Sequence, residues 1–386
     1  MTTHPTASAP PLTLRADPAH RAALNGIPGI DFRSNFALAT AAGRGMPGML
    51  RDVAALRFGP GRLTSNEYYY YRLWEAGITD DAKRRFVGKL AQHPMHLACN
   101  KPEWQAVASD KLLFHGVMTA AGLPMPDLLG VAHRSRSMAG ARSLRSLDDL
   151  AWFLRDPDNY PLFAKPISGK YSLAVLSADS VADETTMALR GSPVSTTVYD
   201  AARALAEGED GFLIQRRLEP APAIAAAFGG RLWSIRLLML LTPDGPVLHR
   251  ATAKVPTGSN PADNYWRKGN LLAALDPASG TIWRAVTGSA ETFQTVTQHP
   301  DTGADLIGAT IPRWTETVDL VMRAAPMLPG IGTQSWDVAV ADAGPVILEV
   351  NFGGDLNLSQ LACGYGTLDE TYRQHLARYG YRQAKG

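Results

Sequence analysis

The densest group of side chains able to do chemistry lies in Ser335-Trp-Asp337-Val-Ala-Val-Ala-Asp342-Ala-Gly344-Pro-Val-Ile-Leu-Glu349-Val-Asn351. Two apolar runs, Trp336–Ala341 and Val346–Val350, flank a turn at Asp342-Ala343-Gly344, where the glycine can take a positive φ. A hairpin folded symmetrically about Ala343 sets Asp337 opposite Glu349, with Asn351 on the same face of its strand. Two carboxylates facing each other across a ladder repel. A divalent cation between them reverses that penalty. Three oxygen ligands suit a hard ion such as Mg²⁺, or Mn²⁺ in its place, with nucleotide phosphates completing the shell. A register slip of one residue would put the two acids on opposite faces. The plainer alternative is a pair of ordinary solvent-side acids in an alternating hairpin.

A second group is basic. Arg236 interrupts the apolar run Trp233–Leu241, where a guanidinium needs an anion. A carboxylate or a transferring phosphoryl group would serve, as would a structural pair with Asp244 or Glu219. Arg250 and Lys254 lie on the expected partner strand and could face the same place. Lys165 is embedded in Leu-Phe-Ala-Lys-Pro, and Lys111 opens a helix against its macrodipole, which hints at an anionic partner. For each of them a solvated surface lysine is the alternative.

These side chains need elements to hold them. Short β-like runs fall at Leu128–Ala132, Tyr160–Lys165, Leu173–Ala178, Phe212–Gln215, Leu232–Leu241 and Val247–Thr252, ahead of the final hairpin. Helices are expected over 146–155, 197–206, 313–325 and 367–378. Ser109 reads as the N-cap of a further helix with an apolar face of Leu112, Leu113, Val117 and Ala120, closed by Gly122 ahead of Pro124 and Pro126. From 46 to 107 the pattern is mostly helical, and the run Tyr68–Tyr71 reads as an amphipathic helix packing one or two of its rings, with a stacking platform for bases or sugars as the alternative. Hairpins dominate the second half, so the expected class is α+β rather than doubly wound α/β.

The 386 residues suit two or three compact units. Lys+Arg 38 against Asp+Glu 36 leaves a formal charge of +2, which gives neither a basic footprint for nucleic acid nor an acidic tail. With 45% hydrophobic residues the chain can bury a substantial core. Cys99 and Cys363 stand far apart, so no disulfide framework or thiolate zinc site is expected, which fits a reducing cytoplasm. The first residues lack the pattern of a secretory leader, and no apolar run is long enough to span a bilayer. A soluble, cytoplasmic protein is therefore expected. The sequence has no phosphate loop of the Gly-x-x-x-x-Gly-Lys type, no Gly-x-Gly-x-x-Gly and no Gly-x-Ser-x-Gly. Its nine histidines, His93 and His96 among them, read as surface or satisfied residues.

Taken in order along 109–365, several segments resemble the ATP-grasp ligases. Leu348-Glu-Val-Asn351 after a Gly-Pro turn, with Asp337 on the paired strand, looks like their metal-binding end. Asp110-Lys111, opening a helix that ends in Gly-Leu-Pro-Met-Pro, resembles the segment bringing the first phosphate-side lysine. Tyr160-Pro-Leu-Phe-Ala-Lys165-Pro and Ser168-Gly-Lys-Tyr-Ser172 resemble the strand lysine and the small loop over the phosphates. Phe212-Leu-Ile-Gln215-Arg-Arg-Leu218-Glu219 resembles the hinge that reads adenine, and Arg250 to Asn270 a segment of the ribosomal-protein glutamate ligase that approaches the phosphates. The sugar-transfer-associated subgroup, which also carries a helical preamble, is the nearest in appearance. Two features depart from the pattern: Phe352-Gly-Gly-Asp355 replaces the usual small residue plus Pro-Gly, and the loop after Lys165 has one glycine where several members have four or five.

The resemblance implies an α+β ATP-grasp fold, two subdomains clasping ATP, behind a helical N-terminal extension. The expected boundaries are a flexible leader over 1–28, helices over 29–108, a smaller subdomain with the lysine strand and phosphate loop over 109–217, and a metal-binding subdomain over 218–386. It implies that Asp337, Glu349 and Asn351 hold Mg²⁺ and that Lys111, Lys165, Ser168 and Gly169 meet the phosphates. Gln215, Arg216 and Leu218 would meet the adenine, Glu219 the ribose, and Asn264 the phosphate side. Arg236, with Lys254 and Arg250, would serve the reacting carboxylate. The implied activity is ATP- and Mg²⁺-dependent ligation of a small carboxylate to an amine, or to a thiol or hydroxyl, through an acylphosphate, with closure of 166–172 excluding water. Alternatives are a kinase acting on a hydroxyl of a small molecule or sugar, and a nucleotide-binding module without turnover. Oligomeric state is left open, with a homodimer among the candidates.

Overall fold

The structure, a computed structural model, describes residues 30–381 apart from 170–173, 193, 259, 261–262 and 266–267, together with Leu12 and Leu14. Of the expected leader, 1–28, only Leu12 and Leu14 are described, both half-buried against the core of the first unit, and the centre of the expected 166–172 loop lies outside the described residues. Two compact units divide the rest. One holds Asp110–Val117 and Met125–Leu218, and the other holds 30–109, Met118–Pro124 and 219–381.

The first unit carries β1 (Leu128–Ala132), β2 (Arg142–Leu144), β3 (Leu162–Pro166), β4 (Leu176–Ala182), β5 (Thr186–Leu189), β6 (Thr196–Thr197) and β7 (Phe212–Arg216). They form one sheet in the order β2-β1-β7-β3-β4-β5-β6, parallel only between β1 and β2. Ladder partners share a face, and successive residues alternate. Leu162, Ala164, Phe212 and Ile214 thus share a face and enter the core with helices Leu147–Arg155 and Val198–Ala206. Lys165 and Gln215 are left on the opposite face.

The second unit carries β8 (Ser234–Thr242), β9 (Gly245–Val255), β10 (Leu271–Leu275), β11 (Ile282–Thr287), β12 (Gln294–Thr295), β13 (Thr333–Ala341) and β14 (Gly344–Phe352). This sheet is antiparallel throughout, in the order β12-β11-β10-β9-β8-β13-β14. Its apolar face presents Ile235, Leu237, Ala251, Ala253, Trp336, Val338 and Val350, all buried, and helix Trp314–Ala324 lies against these strands. The other face is ionic. Ser234, Arg236, Arg250, Thr252, Lys254, Ser335, Asp337, Glu349 and Asn351 all project from it. The helices over 32–109 belong to this same unit.

Several local expectations need correction. The hairpin turn is a two-residue loop, Asp342-Ala343, with Ala341 paired to Gly344. The one-residue offset from a three-residue turn is restored by a β-bulge: Val338 pairs Ile347, but Asp337 pairs Glu349, leaving Leu348 as the extra residue. Ser109 ends the helix Gln105–Ser109, and Asp110 Oδ1 accepts from Leu113 N (2.9 Å), so Asp110 takes the capping role. That helix, Lys111–Ala120, buries Leu112, Phe114, His115 and Met118 and exposes Leu113 and Ala120. All four tyrosines of Tyr68–Tyr71 are buried. Helix Ser65–Tyr70 is too short to keep a solvent stripe, and the chain turns at Arg72 (φ 54°), which folds every ring inward.

The histidines depart most. His96, His115, His299 and His375 are buried, each with one ring nitrogen lacking a hydrogen-bond partner among the described residues. His375 Nε2 meets Thr333 Oγ1 at 3.0 Å, and burial pulls its imidazole down to about 4. An unfolded histidine titrates near 6.5, so between about 6.5 and 4 the unfolded chain binds the extra proton and stability falls as pH drops. His375→Gln is expected to weaken that dependence, read as a smaller shift in urea midpoint between pH 7 and pH 5. An unchanged shift would remove His375 from the account.

Candidate functional site

The ionic face is organised around Asp337, a central-strand residue only 2% exposed. Strand order sets Arg236 opposite it on one side and Glu349 on the other. Arg236 donates through Nε to Oδ1 (2.8 Å) and through Nη2 to Oδ2 (2.7 Å), a two-point pair. Lys254 Nζ donates to the same Oδ2 at 3.2 Å. Burial pushes the Asp337 carboxyl up, but Arg236 and Lys254 outweigh it and hold it well below the ordinary carboxylate range. Arg236 finds its anion in Asp337 rather than in Asp244 or Glu219. Asn351 sits opposite Ser335 and donates from Nδ2 to Ser335 O (3.3 Å), which leaves Oδ1 as its accepting atom.

Two further acids complete this face, and neither is evident from sequence spacing. Asp263 accepts from Ser234 Oγ and lies 3.9 Å from Lys254 Nζ. Asp355 accepts from Lys89 Nζ at 2.7 Å. Asn264, next to Asp263, has its side-chain oxygen buried with no partner among the described residues. Arg250 shares the face but turns elsewhere. It donates to Tyr365 O (3.4 Å) and Gly366 O (2.6 Å), stands 3.5 Å from Asp369, and lies under the Tyr365 ring. It is tied to the segment that follows helix Leu356–Cys363 and is not brought to Asp337.

Among the described residues no group of three or more His, Cys, Asp or Glu side chains is placed to hold a metal. The available set is two carboxylates and an amide oxygen, all hard donors of the kind Mg²⁺ takes. Asp337 already carries two fixed cations, which shifts the weight of any coordination toward Glu349 and Asn351.

In the first unit, Lys165 and Gln215 share a sheet face with Leu213, and Gln215 is buried. His115 is held below its usual range by burial, with the Lys165 charge adding to the effect. Lys111 Nζ donates to Gly169 O (2.7 Å), and Ser168 bridges to Asp110. Arg216 N and Arg217 N donate to Asp127 O (2.8 Å) and Pro161 O (3.0 Å), while the Arg216 guanidinium holds Tyr160 O and Asp158 O. The Arg216 amide, expected near adenine, is thus taken by a neighbouring loop. Leu218 closes this unit, and Glu219 opens the other, its carbonyl accepting from Asp342 N.

The sequence profile of the sugar-transfer-associated ATP-grasp proteins matches residues 91–374, and the chain belongs to that family. Similar solved structures include the D-alanine–D-alanine ligase from Coxiella burnetii, at 16% identity and a TM-score of 0.40, covering 73% of this chain and 60% of that one. The ATP-grasp ligase PsnB with its minimal precursor is 15% identical, with a TM-score of 0.38 and coverage of 73% and 63%. An L-amino acid ligase from Bacillus licheniformis is 14% identical, with a TM-score of 0.37 and coverage of 66% and 42%. The chain thus spans about six-tenths of the first two and less than half of the third. No curated protein matches it. Among the described residues no helix is long and apolar enough to cross a membrane.

Proposed function

We propose that this chain is an ATP- and Mg²⁺-dependent ligase joining a small carboxylate to an amine through an acylphosphate, with release of ADP and phosphate. The observation that carries the reading is the register placing Asp337 opposite Glu349, with Asn351 on the same face. Asp337, Glu349 and Asn351 would hold Mg²⁺, or Mn²⁺, which when bound offsets the charge on the β- and γ-phosphates. Lys111 and Lys165 neutralise the triphosphate, with Ser168 and Gly169 beside them. Gln215 and Leu218 meet the adenine, Glu219 the ribose, and Asn264 the phosphate side, while Arg216 braces the end of its strand through Asp127, Tyr160 and Asp158.

Arg236 spends Nε and Nη2 on Asp337, and Nη1, outside that pair, is the donor for the substrate carboxylate. A carboxylate oxygen attacks the γ-phosphorus, the bond to ADP breaks, and the acylphosphate forms. The amine then attacks the acyl carbon, phosphate leaves, and the nitrogen gives up a proton. Positioning and fixed charge supply the acceleration, since no protein nucleophile is required.

Purified protein with ATP, Mg²⁺ and paired panels of carboxylates and amines provides the test, read as ADP and free phosphate. Free phosphate that depends on both substrates is the expected result. A phosphorylated product without free phosphate would instead establish a kinase and overturn the ligase reading.

A further inference from the structure

We infer that Asp355 receives the ammonium group of the carboxylate substrate, so that this substrate is an amino acid, and that Lys89 stands in for that ammonium when none is bound. This rests on the ligase reading above. Asp355 follows Asn351 by four residues and caps helix Leu356–Cys363, its Oδ1 accepting from Asn357 N at 3.0 Å. The Lys89 ammonium sits 2.7 Å from the same oxygen. The Lys89 and Asp355 side chains are 31% and 29% exposed, against 13% for Arg236 and 3% for Asp337. The inner pair is sealed and the outer one open to exchange. A partly exposed pair on a flexible lysine stem is weakly held, and a lysine terminus is itself a primary alkylammonium.

A Cβ on Gly354, next to Asp355, would meet the Ser335 and Asn351 side chains, which project from the face that carries Asp337 and Arg236, so a ligand with its carboxylate on Arg236 can reach Asp355 with an adjacent ammonium. The seat is rigid. Gln92 donates to Gly354 O (3.2 Å) and accepts from Leu356 N (3.1 Å), and Ser335 Oγ donates to Gly353 O (3.3 Å). Gly353 adopts φ +88°, and a Cβ there would fall 2.4 Å from the His96 ring. This is the Phe352-Gly-Gly-Asp355 segment that departs from the usual family pattern, and helix Lys89–Cys99 braces it.

The test compares amino acids with des-amino acids of the same carbon skeleton, such as alanine with propionate and glutamate with glutarate, across the standard set. Readouts are ADP release and the thermal shift each compound gives. At least one amino acid is expected to exceed its des-amino partner tenfold or more in kcat/KM. Asp355→Asn, which keeps a capping oxygen, is expected to raise the amino-acid KM at least tenfold, erase its thermal shift and leave the ATP KM unchanged. Lys89→Met, which removes the competing ammonium, is expected to lower the amino-acid KM. Equal use of des-amino acids, or an unchanged preference in Asp355→Asn, overturns the inference while the ligase reading stands. A parallel rise in the ATP KM assigns Asp355 a structural role only and also overturns it. Absence of ADP release with every carboxylate removes the ligase reading, and this inference with it.

Discussion

Asp337→Ala is expected to destabilise the second unit by about 3–5 kcal/mol, because truncation leaves cations buried without their carboxylate. Arg236 loses both points of its pair, and Lys254 loses its 3.2 Å contact. Among the described residues Lys254 keeps Asp263, at 3.9 Å. The cost is that of stranding charge, not the net worth of the bridge. A triple variant, Asp337→Ala with Arg236→Met and Lys254→Met, should therefore recover part of the loss, since it removes the stranded cations with the acid. Urea unfolding of the three proteins, comparing midpoints at equal slope, measures this. A loss below about 1 kcal/mol in the single variant would mean that water or a rearranged acid solvates the cations, and the sealed cluster described here would be wrong.

The same cluster shows what the sequence discloses and what it hides. The two apolar runs around Asp342-Ala343-Gly344 disclose a hairpin, because alternation and turn chemistry are local. The pairing of Asp337 with Glu349 is legible, although for a reason only the backbone supplies: the tighter turn and the bulge at Leu348 cancel. Strand β10, Leu-Leu-Ala-Ala-Leu, escapes notice because it is buried on both faces and has no alternation to read. The buried state of Tyr68–Tyr71 escapes because a helix of six residues is enclosed by its surroundings rather than divided into faces. Lys89 and Asp355 are separated by about two thirds of the chain, so no spacing rule can find the pair. Arg236 is legible as a cation in need of an anion, whereas the identity of that anion depends on which strands become neighbours.

Glu349→Ala is expected to separate function from folding, and with it the metal assignment stands or falls. Glu349 is half-buried, and its removal sets the relief of repulsion from Asp337 across the ladder against the loss of its attraction to Arg236, while Arg236 and Lys254 keep the Asp337 carboxylate. Stability should thus change by about 1 kcal/mol or less. Turnover should fall about 10²–10³-fold, the loss typical when one fixed charge-stabilising group is removed from a reacting centre. Glu349→Gln keeps the shape and an oxygen donor but not the charge, so it should retain more folding stability than activity. ADP release, with the Mg²⁺ concentration giving half-maximal rate, reads both variants, and that concentration should rise in each. An unchanged rate in a folded Glu349→Ala protein would return this acid to the status of an ordinary strand residue. The hairpin would then be scaffold for Arg236 alone.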